Sequence, residues 1–177
     1  MYKIIELAHL MLQQHLTLGD VAIDATCGNG HDTLFLSQLV GETGKIYSYD
    51  IQLAALESAK ILNANQNNIT FIHQSHEFLE LNDAKAVVFN FGYLPNGDKS
   101  ITTKASSSLT AVENIIKELK DNVLIIMVLY PGHEEGKIEA DVLSEFCNNL
   151  SSKEFLVSTY KNSNQNNAPF LISIIKK

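Results

Sequence analysis

The chain predicts an α/β fold: a mostly parallel seven-stranded sheet with helices on both faces and an antiparallel final strand. Three observations predict it. Short apolar runs alternate with segments of helical periodicity from residue 20 to residue 149. The connectors between successive apolar runs are long enough for helical crossovers, which makes those strands parallel. The last two runs, 154–160 and 170–176, are joined only by a polar stretch containing Asn162-Ser-Asn-Gln-Asn-Asn, so they pair antiparallel.

The elements follow in order. Met1 to Leu16 places Ile4, Leu7, Ala8, Met11 and Leu12 at helical spacing. Glu6, His9, Gln13, Gln14 and His15 interrupt its apolar character and no small-residue cleavage site follows, so an amphipathic helix is expected in preference to a signal peptide. Then come strand 20–25, helix 30–40, strand 45–49, helix 52–64, strand 69–73, a short helix near 76–81 and strand 85–90. A loop runs to about 104, followed by helix 106–120, strand 122–129 and helix 134–149. The expected organisation is one Rossmann-like domain over residues 1–177, with the helix of residues 1–17 packed on it. A chain of 177 residues is long enough to bury about 70% of the surface that it exposes when unfolded.

Composition narrows the function classes. Hydrophobic residues make up 45% and charged residues 19%, as in ordinary globular proteins, and no apolar run reaches the roughly 18 residues of a membrane span. Cys27 and Cys147 form neither a metal-binding spacing nor a disulfide framework, so no metal is expected and the expected compartment is cytoplasmic. The net charge of −7 and pI near 5.3 work against coating long stretches of nucleic acid. A small folded RNA element or a small molecule remains compatible with that charge.

The most telling stretch is Asp20-Val-Ala-Ile-Asp-Ala-Thr-Cys-Gly-Asn-Gly-His-Asp-Thr33, a strand feeding a glycine loop feeding a helix. Gly28 and Gly30 let backbone N–H groups approach a nucleoside ligand closely. Asp50, closing the second strand, can accept hydrogen bonds from both ribose hydroxyls. A dinucleotide site has a third glycine where Thr33 stands, and Asp24 would repel a diphosphate but suits the ammonium end of a methionine moiety. A glycine turn with a buried capping aspartate is the plainer alternative.

Ligands bind outside the carboxyl ends of strands in such sheets, and polar residues gather there. Asn29, Asp32 and Thr33 follow the first strand, Asp50 and Gln52 the second, and Gln74, Ser75 and His76 the third. Asn90 follows the fourth, and Tyr130 and His133 the fifth. Asn29 suits a cofactor carboxylate or backbone contact; Asp32 and Thr33 equally suit helix capping. Ser75 and His76 stand where an adenine edge is read, with capping as the alternative for Ser75. The loop Asn90-Phe-Gly-Tyr-Leu-Pro-Asn-Gly-Asp-Lys offers Tyr93 for stacking and Lys99, with Lys104 beyond it, for phosphate contact. His133 can exchange a proton near neutral pH or serve as an ordinary loop histidine. Tyr160, Asn164 and Pro169 flank the last hairpin as candidate rim residues.

The pattern Asp-x-x-x-Gly-x-Gly from Asp24 to Gly30, with an acid at the second strand end, resembles motifs I and II of the class I S-adenosylmethionine (SAM) methyltransferases. Those proteins have glycine where Thr26 stands. Asn90 occupies the place of the first residue of Asn-Pro-Pro-Tyr in amino-group methyltransferases, where the Asn oxygen accepts a hydrogen bond from the target amine; here Phe91 and Gly92 replace the prolines. The whole chain resembles a compact bacterial family of class I methyltransferases labelled rRNA methylases. Its motifs match at Asp24 to Thr33, Ser75 to Glu77, Asn90 to Lys99 and Tyr130 to Glu139, although Ala168-Pro169 replaces an expected Pro-Pro pair. The resemblance implies a homodimer that methylates the amino group of 5-aminomethyl-2-thiouridine at the tRNA wobble position, contacting the anticodon loop. Asp24, Gly28, Asn29, Gly30, Asp32, Thr33, Asp50, Gln52, Ser75 and His76 would then hold SAM, with Asn90, His133 and Asp98 in the chemistry. Tyr93, Lys99 and Tyr130 would meet the substrate. Rival readings are methylation of another RNA or of a small metabolite, and a nonenzymatic SAM-binding module.

Overall fold

The structure, a computed structural model, describes residues 3–92, 104–165 and 167–177. Helix α1 (Ile4–His15) precedes β1 (Val21–Asp24), α2 (His31–Val40), β2 (Lys45–Asp50), α3 (Leu53–Leu62) and β3 (Ile69–His73). After these come β4 (Ala86–Asn90), α4 (Ala105–Glu118), β5 (Leu124–Leu129), α5 (Glu134–Asn148), β6 (Phe155–Tyr160) and β7 (Phe170–Lys176). The seven strands form one sheet in the order β3-β2-β1-β4-β5-β7-β6. Only β7 runs against its neighbours, pairing antiparallel with both β5 and β6. The expected fold class is the observed one.

Strand order reverses between β1 and β4, because the chain builds outward through β2 and β3 and then returns. Such a switch point leaves a crevice at the carboxyl ends of the two central strands. Residue register places Asp24 opposite Ser48 on one side and Val88 on the other, while Asn90 pairs with Val128.

Each sheet face carries its own apolar layer. Ala8 and Leu12 of α1 and Leu36 and Val40 of α2 pack on Ile46 and Ile126. On the other face, Ala111, Val112 and Ile115 of α4 and Ala140 and Leu143 of α5 cover Phe89, Ile125 and Met127. All six residues of β5, Leu-Ile-Ile-Met-Val-Leu, are consequently buried. A strand covered on both faces has no need to alternate apolar with polar residues.

Most boundaries shift by one or two residues from expectation, and two of the differences have a visible backbone cause. The short helix near 76–81 is a single 3-10 turn, His76–Phe78, because Leu79 is extended and Asn82 and Asp83 take left-handed conformations. The strand expected over 122–129 starts at Leu124, since Asn122 adopts φ +60° and turns the chain into it.

Candidate functional site at the strand tips

The floor of the crevice is Asp24, buried at the end of β1 and 1% exposed. Thr33 Oγ1, from the first turn of α2, donates to Asp24 Oδ2 at 2.5 Å, and Thr26 N donates to Oδ1 at 3.2 Å. Ser48 Oγ on β2 lies 2.8 Å from Thr33 Oγ1. Burial, reinforced by the negative charge of Asp32, pushes the Asp24 carboxyl up to about 7, although the Thr33 and Thr26 bonds oppose the rise. Asp24 is thus poised to become charged when a cation arrives. Cys27 lies beside it, but burial holds its thiol near 12, so it is a packing residue and not a nucleophile.

The glycine loop is tied to β2. Asp50 accepts Gly28 N–H on Oδ2 and Gln52 N–H on Oδ1, both at 2.8 Å. Each carboxylate oxygen accepts one of these bonds and has a further lone pair, the capacity that a ribose diol requires. His73 braces the turn that follows β2, its Nε2 donating to the Ile51 carbonyl at 2.9 Å. Gly30 has φ +83°, and a Cβ there would lie 2.7 Å from Ala59 Cβ, so only glycine lets α2 start against α3.

Ser75 caps the 3-10 turn through Glu77 N–H at 3.3 Å, and its hydroxyl donates to the Glu77 carboxylate. The His76 ring turns inward, edge-on to Phe89 and Phe91. Its Nε2 is buried with no hydrogen-bond partner among the described residues, and burial lowers its affinity for a proton. An orphaned polar atom, a carboxylate at the ribose position and a buried acid suited to a cation fit SAM.

The other half of the crevice centres on Asn90. Its backbone N–H donates to Thr26 Oγ1 at 2.7 Å, so the threonine that replaces a glycine of motif I anchors the tip of β4. The Asn90 side-chain Nδ2 donates to Asp32 Oδ2 at 3.3 Å, and the Tyr130 phenol lies beside the same side chain. Burial, with the Asp32 charge, raises the Tyr130 phenol. His9 Nε2 on α1 donates to Asp32 Oδ1 at 2.8 Å. Asp32 and Thr33 therefore hold other side chains in place, a role that helix-start position alone does not reveal.

His133 is the N-cap of α5, its Nδ1 accepting Gly136 N–H at 3.0 Å. With Nδ1 committed, a neutral ring carries its proton on Nε2, which is a donor and not a base. A Cβ at Gly136 would lie 2.2 Å from the Tyr130 carbonyl, so this glycine seats α5 directly beneath Tyr130. The β6–β7 connection borders the same loop, with the Asn167 carbonyl 3.7 Å from where a Gly132 Cβ would stand. Tyr160 closes β6 and is 41% exposed, and Lys104 is exposed at the start of α4. Tyr93, Asp98 and Lys99 lie outside the described residues.

Sequence reasoning missed two contributors, His9 and the Thr26 hydroxyl. For His9 the available signal was a polar ring one residue from Ala8, on the face that α1 turns toward the sheet.

Comparison with known proteins agrees with this geometry. The description of the putative rRNA methylase family matches residues 46–176. A chloroplastic tRNA (mnm(5)s(2)U34)-methyltransferase from Arabidopsis thaliana is 33% identical over 191 residues, spanning 99% of this chain and 70% of that protein. A crystal structure described as a putative rRNA-methylase from Clostridium thermocellum superposes with TM-score 0.95 at 33% identity, covering 100% of this chain and 99% of the other. A putative methyltransferase from Streptococcus mutans, solved in complex with SAH, gives TM-score 0.87 at 34% identity with the same coverage. The chain belongs to the putative rRNA methylase family and carries the class I fold of SAM-dependent methyltransferases.

Proposed function

We propose that this chain is a SAM-dependent N-methyltransferase that converts 5-aminomethyl-2-thiouridine to its 5-methylaminomethyl form at the tRNA wobble position. The observation that carries the proposal is the Asn90 side chain at the tip of β4, held between Asp32 and Tyr130. The likeness over 99% of the chain to a protein named for that modification supports the choice of substrate. When bound, SAM supplies a methyl on a positively charged sulfur, and transfer to a neutral amine leaves a neutral thioether.

The residues of the chain supply alignment. Asp24 and Asp50 are assigned the cationic and ribose ends, and Asn29, Ser75 and His76 are assigned the rest of the cofactor. Asn90 Oδ1, with Nδ2 already committed to Asp32, accepts an N–H of the incoming amine and so aims its lone pair at the methyl. Such positioning contributes about 7–11 kcal/mol in well-oriented reactions. The attacking nitrogen becomes a charged secondary ammonium and releases its surplus proton to solvent, so no protein base is assigned. Lys104, exposed at the start of α4, suits an anticodon-loop phosphate.

The same proposal includes a homodimer working in the cytoplasm. Edge strand β6 carries Leu156 and Tyr160, 55% and 41% exposed, a surface that a second copy would cover. Among the described residues no helix is long and apolar enough to cross a membrane. The family name favours ribosomal RNA as a second substrate class. Nucleoside mass spectrometry of tRNA and rRNA from cells lacking the gene separates the two. Accumulation of 5-aminomethyl-2-thiouridine in tRNA is the expected result; an intact tRNA profile with a missing rRNA methyl group would replace the proposal.

A further inference from the structure

We infer that His9, on the N-terminal helix, is a positioning residue for Asn90 and acts through Asp32. The inference rests on the reading that Asn90 receives the acceptor amine. Four side chains form a line across the crevice: His9 Nε2 donates to Asp32 Oδ1 at 2.8 Å, and Asn90 Nδ2 donates to Asp32 Oδ2 at 3.3 Å. Tyr130 completes the line beside Asn90.

An ionised carboxylate only accepts hydrogen bonds, so it selects one orientation of the facing amide. With Nδ2 toward Asp32, Asn90 must turn Oδ1 toward its other side. The flipped amide would set an oxygen against a carboxylate oxygen. This selection works only while Asp32 itself stays in place, and His9 holds the oxygen that Asn90 does not. The His9 ring is in turn stacked on Phe35, centroids 3.8 Å apart and 7° from parallel. Phe35 and Asp32 are three residues apart on α2 and share a face, so one ring from α1 meets both.

His9 is not the anchor of α1. Ala8, Leu12 and Leu16, all buried in the apolar layer, fill that role, whereas the His9 side chain is 29% accessible. The helix therefore contributes to amide orientation as well as covering the sheet.

Two variants separate hydrogen bonding from packing. His9→Phe keeps a ring for Phe35 and removes the donor; His9→Gln removes the ring and keeps an N–H at similar reach. Transfer to tRNA bearing 5-aminomethyl-2-thiouridine is measured beside Asn90→Ala, with calorimetric SAH affinity and the Asn90 side-chain amide resonances of the protein alone. The inference predicts that His9→Phe lowers kcat about tenfold and leaves SAH affinity within about twofold, while His9→Gln stays within about threefold of the parent. It also predicts that His9→Phe shifts the Asn90 amide resonances and His9→Gln largely restores them. Equal rates and unshifted resonances in His9→Phe overturn it, as does a loss of SAH affinity that parallels the loss of rate. Full activity in His9→Gln combined with a shifted amide in His9→Phe supports it. Wild-type rate in Asn90→Ala, or no transfer by the parent protein, would remove the underlying reading. The amide resonances would still decide whether His9 orients Asn90.

Discussion

The two halves of the crevice are built differently. At the tips of β1 and β2, Asp24, Thr33 and Ser48 are fully buried and bonded to one another over short sequence distances. At the tips of β4 and β5, the line from His9 through Asp32 and Asn90 to Tyr130 is partly exposed and draws on α1, α2 and two strands. A buried network is costly to disturb and rigidifies what it surrounds. A partly solvated line costs less to rearrange, which suits the half proposed to admit a bulky acceptor and release it. The cofactor half is therefore expected to fail through stability and affinity, and the acceptor half through rate.

The largest expected effect falls on the acceptor half. Asn90→Ala should lower methyl transfer on the order of 10²–10³-fold, comparable to removing a single positioned hydrogen-bonding group in other enzymes. Calorimetric affinity for SAH should change little. A parallel fall in both would move Asn90 into the cofactor half and erase the contrast.

The next effect sharpens the cofactor half. The Asp24 carboxyl, raised to about 7 in the folded chain, is protonated there over a range where the unfolded chain has already ionised it. Its own contribution to stability therefore falls as pH rises from about 4 to about 7 and is level above that. Cofactor binding follows the opposite trend, because a cationic ligand favours the ionised form. Affinity for SAM should rise about tenfold at most between about pH 6 and pH 8, the change in the ionised fraction across a midpoint near 7. Asp24→Asn should abolish that slope; an unchanged slope would place the titrating group elsewhere.

Thr33→Val should destabilise the fold by about 1–3 kcal/mol, since it strands Asp24 without its hydroxyl donor. Chemical denaturation with and without SAH tests this, and a neutral result would mean that the network is not rigid. The smallest effect is expected from Thr26→Ala, which frees the Asn90 N–H. It should cost about 0.5–1.5 kcal/mol and reduce the transfer rate only a few-fold.

The same contrast explains what the sequence disclosed. Asp24, Gly28, Gly30 and Asp50 were legible because strand, loop and helix follow one another, and local chemistry dictates where the glycines stand. The sheet was legible for a similar reason, since alternating runs with crossover connectors leave few topologies. Asn90 was legible as the last residue of a strand, but its partners were not. Asp32 lies 58 residues away, Thr26 lies 64 away, and His9 reaches Asp32 across 23. No local pattern encodes a hydrogen bond between side chains that far apart. His133 shows the converse. Its residue type suggested proton transfer, yet the Gly136 N–H already occupies Nδ1, a commitment visible only once α5 is seated.

Methyl transfer in a defined mixture tests the central claim most directly. The protein is incubated with methyl-labelled SAM and tRNA carrying 5-aminomethyl-2-thiouridine, and the tRNA is then digested to nucleosides and resolved by mass. The account predicts label in 5-methylaminomethyl-2-thiouridine alone, lowered on the order of 10²–10³-fold by Asn90→Ala. Label in any other nucleoside, or no label although SAM is bound, would contradict it.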